Sequence, residues 1–157
     1  MGIKRQAREC ALQILYPLDM VQRGLDIAAV DDAVARFFDS FDADARARER
    51  AEIIVRGVAK ERARIDEVIA AHSPRWKIER MALVDRNVLR LCVHELLFDT
   101  ETPARVVIDE GVEIAKRFGA EQSAAFVNGV LDSAARALGR LDGPSGGAPS
   151  GGTTGAS

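Results

Sequence analysis

From Ile3 to Leu138 the apolar residues recur at spacings of three and four, and no stretch of five to eight residues alternates cleanly between apolar and polar. A helix turns once in about 3.6 residues, whereas a strand reverses its side chains at every residue. The spacing therefore admits helices and excludes a half-buried sheet. The expected fold class is all-α, a compact bundle of six or seven helices.

The first helix is expected over Ile3 to Met20, with Ile3, Ala7, Cys10, Ala11, Ile14 and Leu18 on one face. Pro17 conflicts with it, because its ring removes a hydrogen bond; a kink or an end near Tyr16 is expected, with Gly24 as the stop. A second helix covers Ile27 to Ser40. The third is long, Ala43 to Ala71, and Ser73-Pro74 closes it. A short helical stretch with Trp76 follows. Leu83 to Asp99 is apolar on two sides, which marks a central, buried helix. Glu95 falls among its apolar residues. An unpaired buried charge is strongly destabilising, so an arginine partner is expected there rather than a catalytic role. Thr102 and Pro103 read as the N-cap and first residue of a helix to Phe118, stopped by Gly119. Ser123 reads as the N-cap of a last helix to Leu138.

The last 15 residues, Gly143 to Ser157, hold six of the 13 glycines and no charge. With little to bury, such a segment has nothing to offset the entropy of ordering it. The expected organisation is one helical domain over residues 1–142 and a disordered tail over 143–157. Cys10 and Cys92 give no disulfide framework, no apolar run reaches the length of a membrane span, and no signal-peptide stretch opens the chain. A reducing, cytoplasmic setting is expected.

His72 and His94 stand in no metal-ligand spacing, and neither a GxGxxG nor a GxxxxGK[ST] loop occurs. No catalytic constellation, cofactor or metal is expected. The net charge of −2 and a pI near 5.7 argue against coating nucleic acid by bulk charge, so any such site is local. Two places could supply it. On the wheel of the first helix, Arg5, Arg8, Leu12 and Tyr16 lie opposite the apolar stripe, with Lys4 beside them. Cations next to an aromatic ring suit phosphates and a stacked base; the same residues also suit ordinary helix packing with solvated charges. The second is Phe126, about 100° off the stripe of Val127, Val130, Leu131, Ala134 and Leu138. It sits in a first helical turn near Gln122 and Ser123, where free backbone N–H groups can meet oxygens. An edge contact with another helix is the alternative.

Four runs then resemble the NusB family of bacterial transcription antitermination factors: Arg8 to Tyr16, Asp85 to Arg90 with His94-Glu95-Leu96, Ile108 to Gly119, and Phe126 to Asp132. Order and spacing match from about Lys4 to Leu138. The resemblance implies an all-helical domain of two three-helix groups and a non-enzymatic factor that binds single-stranded boxA RNA. It further implies a partner, the small-subunit ribosomal protein called NusE in its transcription role, with the other Nus factors and RNA polymerase reached indirectly. Carried over by position, the RNA residues are Lys4, Arg5, Arg8, Tyr16, Gln122, Ser123 and Phe126, and the NusE surface includes Asp85. The chain departs from the family where Gln6 and Ala7 interrupt a denser arginine run, and at Gln122 and Ala125 near the last turn. Weaker RNA binding alone and a greater dependence on the partner are expected. Two other readings stay open: a helical scaffold or homodimer without an RNA role, and a truncated N-terminal region of an RNA cytosine methyltransferase.

Overall fold

A computed structural model of the chain describes residues 2–20 and 26–142. The expected stop at Gly24 and the expected tail at 143–157 lie outside the described residues. Seven α-helices are found among the described residues: α1 (Ile3–Met20), α2 (Ile27–Ser40), α3 (Ala45–Lys60), α4 (Arg62–Ala71), α5 (Leu83–Phe98), α6 (Ala104–Phe118) and α7 (Ser123–Ala137), with a single 3₁₀ turn at Ile78–Arg80. Helices α1, α2 and α3 pack on one another, as do α5, α6 and α7. These are the two three-helix groups that the resemblance implies. α1 and α3 both lie against α5, which joins the groups, and α4 covers another side of α5.

The apolar core runs through both groups, with Leu15, Val55, Ile65, Leu89, Leu91, Ile108 and Leu131 all buried. Full burial of such a side chain contributes roughly 1.5–3 kcal/mol. Close approach within the second group needs a residue without a side chain. A Cβ at Gly111 would stand 2.7 Å from the Cys92 Sγ and 3.1 Å from a Leu131 methyl.

Buried charge organises the contact between α1 and α5. Arg8 donates to both carboxylate oxygens of Glu95 at 2.7 and 2.8 Å. Eleven residues further along α1, Asp19 accepts from Arg86 at 2.6 Å, Asn87 at 2.9 Å and Arg90 at 3.1 Å. Arg90 continues to Asp66 of α4 at 2.9 Å. The two helices thus run antiparallel, riveted near each end. Glu95 has the arginine partner expected of it.

Three local expectations are corrected. α1 does not end at Pro17 but runs on to Met20; the proline is exposed, and the bonds to Asp19 hold the last turn in place. The long third helix is two helices, interrupted at Glu61. No glycine or proline stands at that break; Glu61 takes φ −106° and ψ 20°, and α3 packs chiefly on α1 whereas α4 packs on α5. The start of α6 lies one residue later than expected. The Pro103 carbonyl accepts the first helical bond, and the Thr102 hydroxyl donates instead to Asp99 at 2.8 Å.

Burial alone would push the Asp19 carboxyl up, but hydrogen bonds from Arg86 and Asn87 and the charges of Arg90 and Arg86 hold it below the usual carboxylate range. The stability it contributes is complete above the unfolded value of about pH 3.9 and is lost as pH falls through the lower folded value. Asp19→Asn, which strips the charge facing two buried arginines, is expected to cost about 3–5 kcal/mol at pH 7 by urea unfolding, with a shallower loss below pH 4. A cost under about 1 kcal/mol would show that the cluster is not a rivet.

Candidate nucleic-acid interface

The face of α1 expected to carry cations outward is not a solvent face. Arg8 and Leu12 are each only 2% exposed, because α5 packs against α1 there and Glu110 and Arg117 of α6 reach over it to Arg5, Arg8 and Glu9. Among the cations of this segment only Lys4 is exposed and free of carboxylates among the described residues. Arg5 is half-buried and its Nε donates to Glu110 of α6 at 2.8 Å. That hydrogen bond holds the Glu110 carboxyl below its ordinary range. Arg8 is consumed by Glu95 and lies 3.6 Å from Glu110.

Further along α1 the pairing reverses sign. Glu9 is nearly buried and accepts from Arg117 of α6 at 2.9 and 3.1 Å. The Arg117 guanidinium also lies 5.2 Å from the centre of the Phe118 ring. Tyr16 is half-buried and lines a hollow of about 450 Å³ with Leu12, Gln13, Phe37, Val84 and Phe118. A continuous strip therefore runs from Lys4 and Arg5, over the α1–α6 ion pairs, to two aromatic rings at the end of α6.

The turn after α6 places the remaining candidates. Ser123 is buried at 3% exposure; its Oγ accepts from the Ala120 N–H at 2.9 Å, and its own N–H donates to the Ala120 carbonyl. It is the first residue of α7, not the N-cap; Gln122 stands at the cap position and is exposed. A Cβ on Gly119 would lie 2.5 Å from the Ser123 Oγ, so glycine is required for this tight approach. Phe126 is half-buried, packed on the core by one side, and its N–H donates to the Gln122 carbonyl. Asp85 lies in the first turn of α5, partly buried, with one carboxylate oxygen buried and without a hydrogen-bond partner.

Burial pushes the Cys10 thiol up to about 11 and lowers the basicity of His94. Among the described residues no three His, Cys, Asp or Glu side chains could share a metal ion, and no helix is long and apolar enough to cross a membrane.

Comparison with known proteins bears directly on this arrangement. The NusB family model matches residues 5–136. The chain belongs to the NusB family. A relative from Anaeromyxobacter dehalogenans, the transcription antitermination protein NusB, is 49% identical over 136 residues, spanning 86% of this chain and 92% of that protein. The protein of the same name from Sorangium cellulosum is 45% identical, spanning 90% and 98%. Among solved structures, T. maritima NusB superposes with a TM-score of 0.73 at 36% identity, covering 85% of this chain and 90% of that one. A chain from the crystal structure of antitermination factors NusB and NusE in complex with dsRNA superposes at 0.71 and 30% identity, covering 87% and 98%.

Within this NusB-family chain the sequence named most of the strip but missed Arg117 and the carboxylates Glu9 and Glu110. Their roles depend on which helix lies opposite, and no spacing within one helix reveals that. The structure separates Lys4 from Arg8 in kind. Arg8→Ala, which strands Glu95 in the interior, is expected to cost about 3–5 kcal/mol in chemical denaturation. Lys4→Ala should stay within about 0.5 kcal/mol of the parent. Equal midpoints for the two variants would contradict the assignment of Arg8 to the interior.

Proposed function

We propose that the chain is a transcription antitermination factor without enzymatic activity, working in the cytoplasm, that binds boxA-type single-stranded RNA together with the ribosomal protein NusE. The observation that carries this reading is the family match across nearly the whole helical part of the chain, to relatives named for antitermination. The likeness to a NusB chain crystallised with NusE and RNA supports the choice of partners.

The RNA surface of this reading is the strip along α1 and α6 and the turn beyond it. Lys4 and, when it swings from Glu110, Arg5 meet phosphates. Tyr16 and Phe126 offer rings for stacking, and Gln122 offers an amide to a base edge, which is how unpaired RNA is usually read. Arg8 and Ser123 serve it from beneath, one fixing α1 on α5 and the other fixing the turn. NusE is assigned to the start of α5. There the partly exposed Asp85 carboxylate stands in the first helical turn, beside backbone N–H groups that favour a negative charge, and can face a partner. With so few free cations, affinity for RNA alone is modest, and the partner protein adds to it.

The test is fluorescence anisotropy with a boxA-type RNA, with and without NusE. Phe126→Ala is expected to weaken binding about tenfold, the loss of one stacked base, with a small change in unfolding midpoint. Val130→Ala, on the buried stripe of the same helix, should lower stability and leave RNA affinity unchanged. A stable Phe126→Ala protein that binds RNA like the parent would remove the ring from the site.

A further inference from the structure

Most arginines of this chain are paired with carboxylates. Arg5, Arg8, Arg36, Arg46, Arg48, Arg50, Arg56, Arg62, Arg86, Arg90, Arg105, Arg117 and Arg136 each lie within 4.0 Å of an Asp or Glu oxygen. Arg140 is bound by the carbonyls of Leu96 and Thr102. Among the described residues Arg64, which lies 5.4 Å from the centre of the Phe98 ring, Lys4 and Lys60 also lack a carboxylate within 4.0 Å, but these stand on three different helices. Arg75, Lys77 and Arg80 have no carboxylate partner there either, and all three fall in the six residues between Pro74 and Met81, where they outnumber the one carboxylate, Glu79. Trp76, the single tryptophan of the chain, stands among them with 57% of its surface exposed.

This segment is held rigidly while its side chains point outward. The buried Ser73 hydroxyl donates to the Ile69 carbonyl at 2.7 Å, and the Trp76 N–H donates to the Ser73 carbonyl at 3.0 Å. At the other end the Ile78 carbonyl accepts from Arg86 at 3.2 Å, and Met81 is buried. Arg86 is the residue that grips Asp19 at the end of α1. The loop therefore sits beside the C-terminal end of α1, one turn beyond Tyr16, and extends the proposed strip away from Lys4.

From this clustering we propose that the loop Arg75–Arg80 is a second contact for single-stranded RNA, with Trp76 stacking on a base and Arg75, Lys77 and Arg80 meeting phosphates. The inference rests on the RNA reading above and lengthens its path along α1. An exposed indole flanked by unpaired cations on a fixed backbone provides the two elements that an unpaired strand requires, a stacking plane and positive charge. A protein surface would have to bring its own carboxylates to three separate cations; a phosphodiester chain carries one charge per nucleotide at regular spacing.

The single tryptophan makes the test specific. Unlabelled boxA-type RNA is titrated into the full chain, with and without NusE, while Trp76 emission is followed; anisotropy of a labelled copy reports binding in parallel. Quenching that saturates with the anisotropy signal supports the proposal. Trp76→Ala is expected to bind about tenfold more weakly with an unchanged melting temperature. The triple variant Arg75→Ala, Lys77→Ala, Arg80→Ala should flatten the dependence of log K on log salt by about 2, at roughly 0.7 per contact. RNA that binds with no change in Trp76 emission and the same salt slope in the triple variant overturns this inference and leaves the RNA reading standing. Quenching by NusE alone, and none by RNA, assigns the loop to the protein partner and overturns it as well. Absence of RNA binding under every condition overturns both.

Discussion

The antiparallel clamp between α1 and α5 is what the rest of the structure depends on. Arg8 on Glu95 fixes one end, and Asp19 on Arg86, Asn87 and Arg90 fixes the other. Each ion in the clamp has left water, a cost that only close and multiple hydrogen bonds offset. What such pairs add over a purely apolar contact is register: Arg8 can face Glu95 in one alignment of the helices only. That alignment brings α1 alongside α6, so that Arg5 reaches Glu110 and Glu9 reaches Arg117. The surface strip follows from the buried clamp.

Charge accounting then connects fold to function. The chain has 22 Lys and Arg against 24 Asp and Glu, and its helices place the two signs close together. Paired cations are poor phosphate ligands, because each must give up a carboxylate to take an RNA oxygen. On the proposed RNA reading, affinity rests on cations without a carboxylate partner, Lys4 and those of the Arg75–Arg80 loop among them, and on exposed rings. A factor built in this way is selective by arrangement rather than by bulk charge, in keeping with a net charge of −2.

Much of this was legible in the sequence. Helix positions followed from period and punctuation, and most boundaries of α2, α5 and α7 fell within a residue or two of where glycine, proline and cap residues put them. A carboxylate among the apolar residues of a central helix announced the pairing of Glu95. Relations between helices were not legible. A wheel shows that Arg8 and Leu12 lie opposite the stripe but not that a second neighbour covers that side. The break at Glu61 has no glycine or proline to signal it; it shows only where α3, packed chiefly on α1, gives way to α4, packed on α5. The N-cap reading of Ser123 failed by one position; its hydroxyl closes the turn behind it rather than the helix ahead. The freedom of Arg75, Lys77 and Arg80 is likewise a property of what surrounds them.

On the proposed RNA reading, pairing with carboxylates on α6 decides which α1 cations RNA can reach, and Glu110→Gln breaks one such pair. The substitution keeps the shape of the side chain and removes the charge that holds Arg5. Measured as RNA affinity over a series of salt concentrations, the variant should bind more tightly than the parent at low salt. Its slope of log K against log salt should be steeper by about 0.7, one added phosphate contact on a single strand. An unchanged slope with unchanged or weaker affinity, in a protein that melts like the parent, would contradict the account.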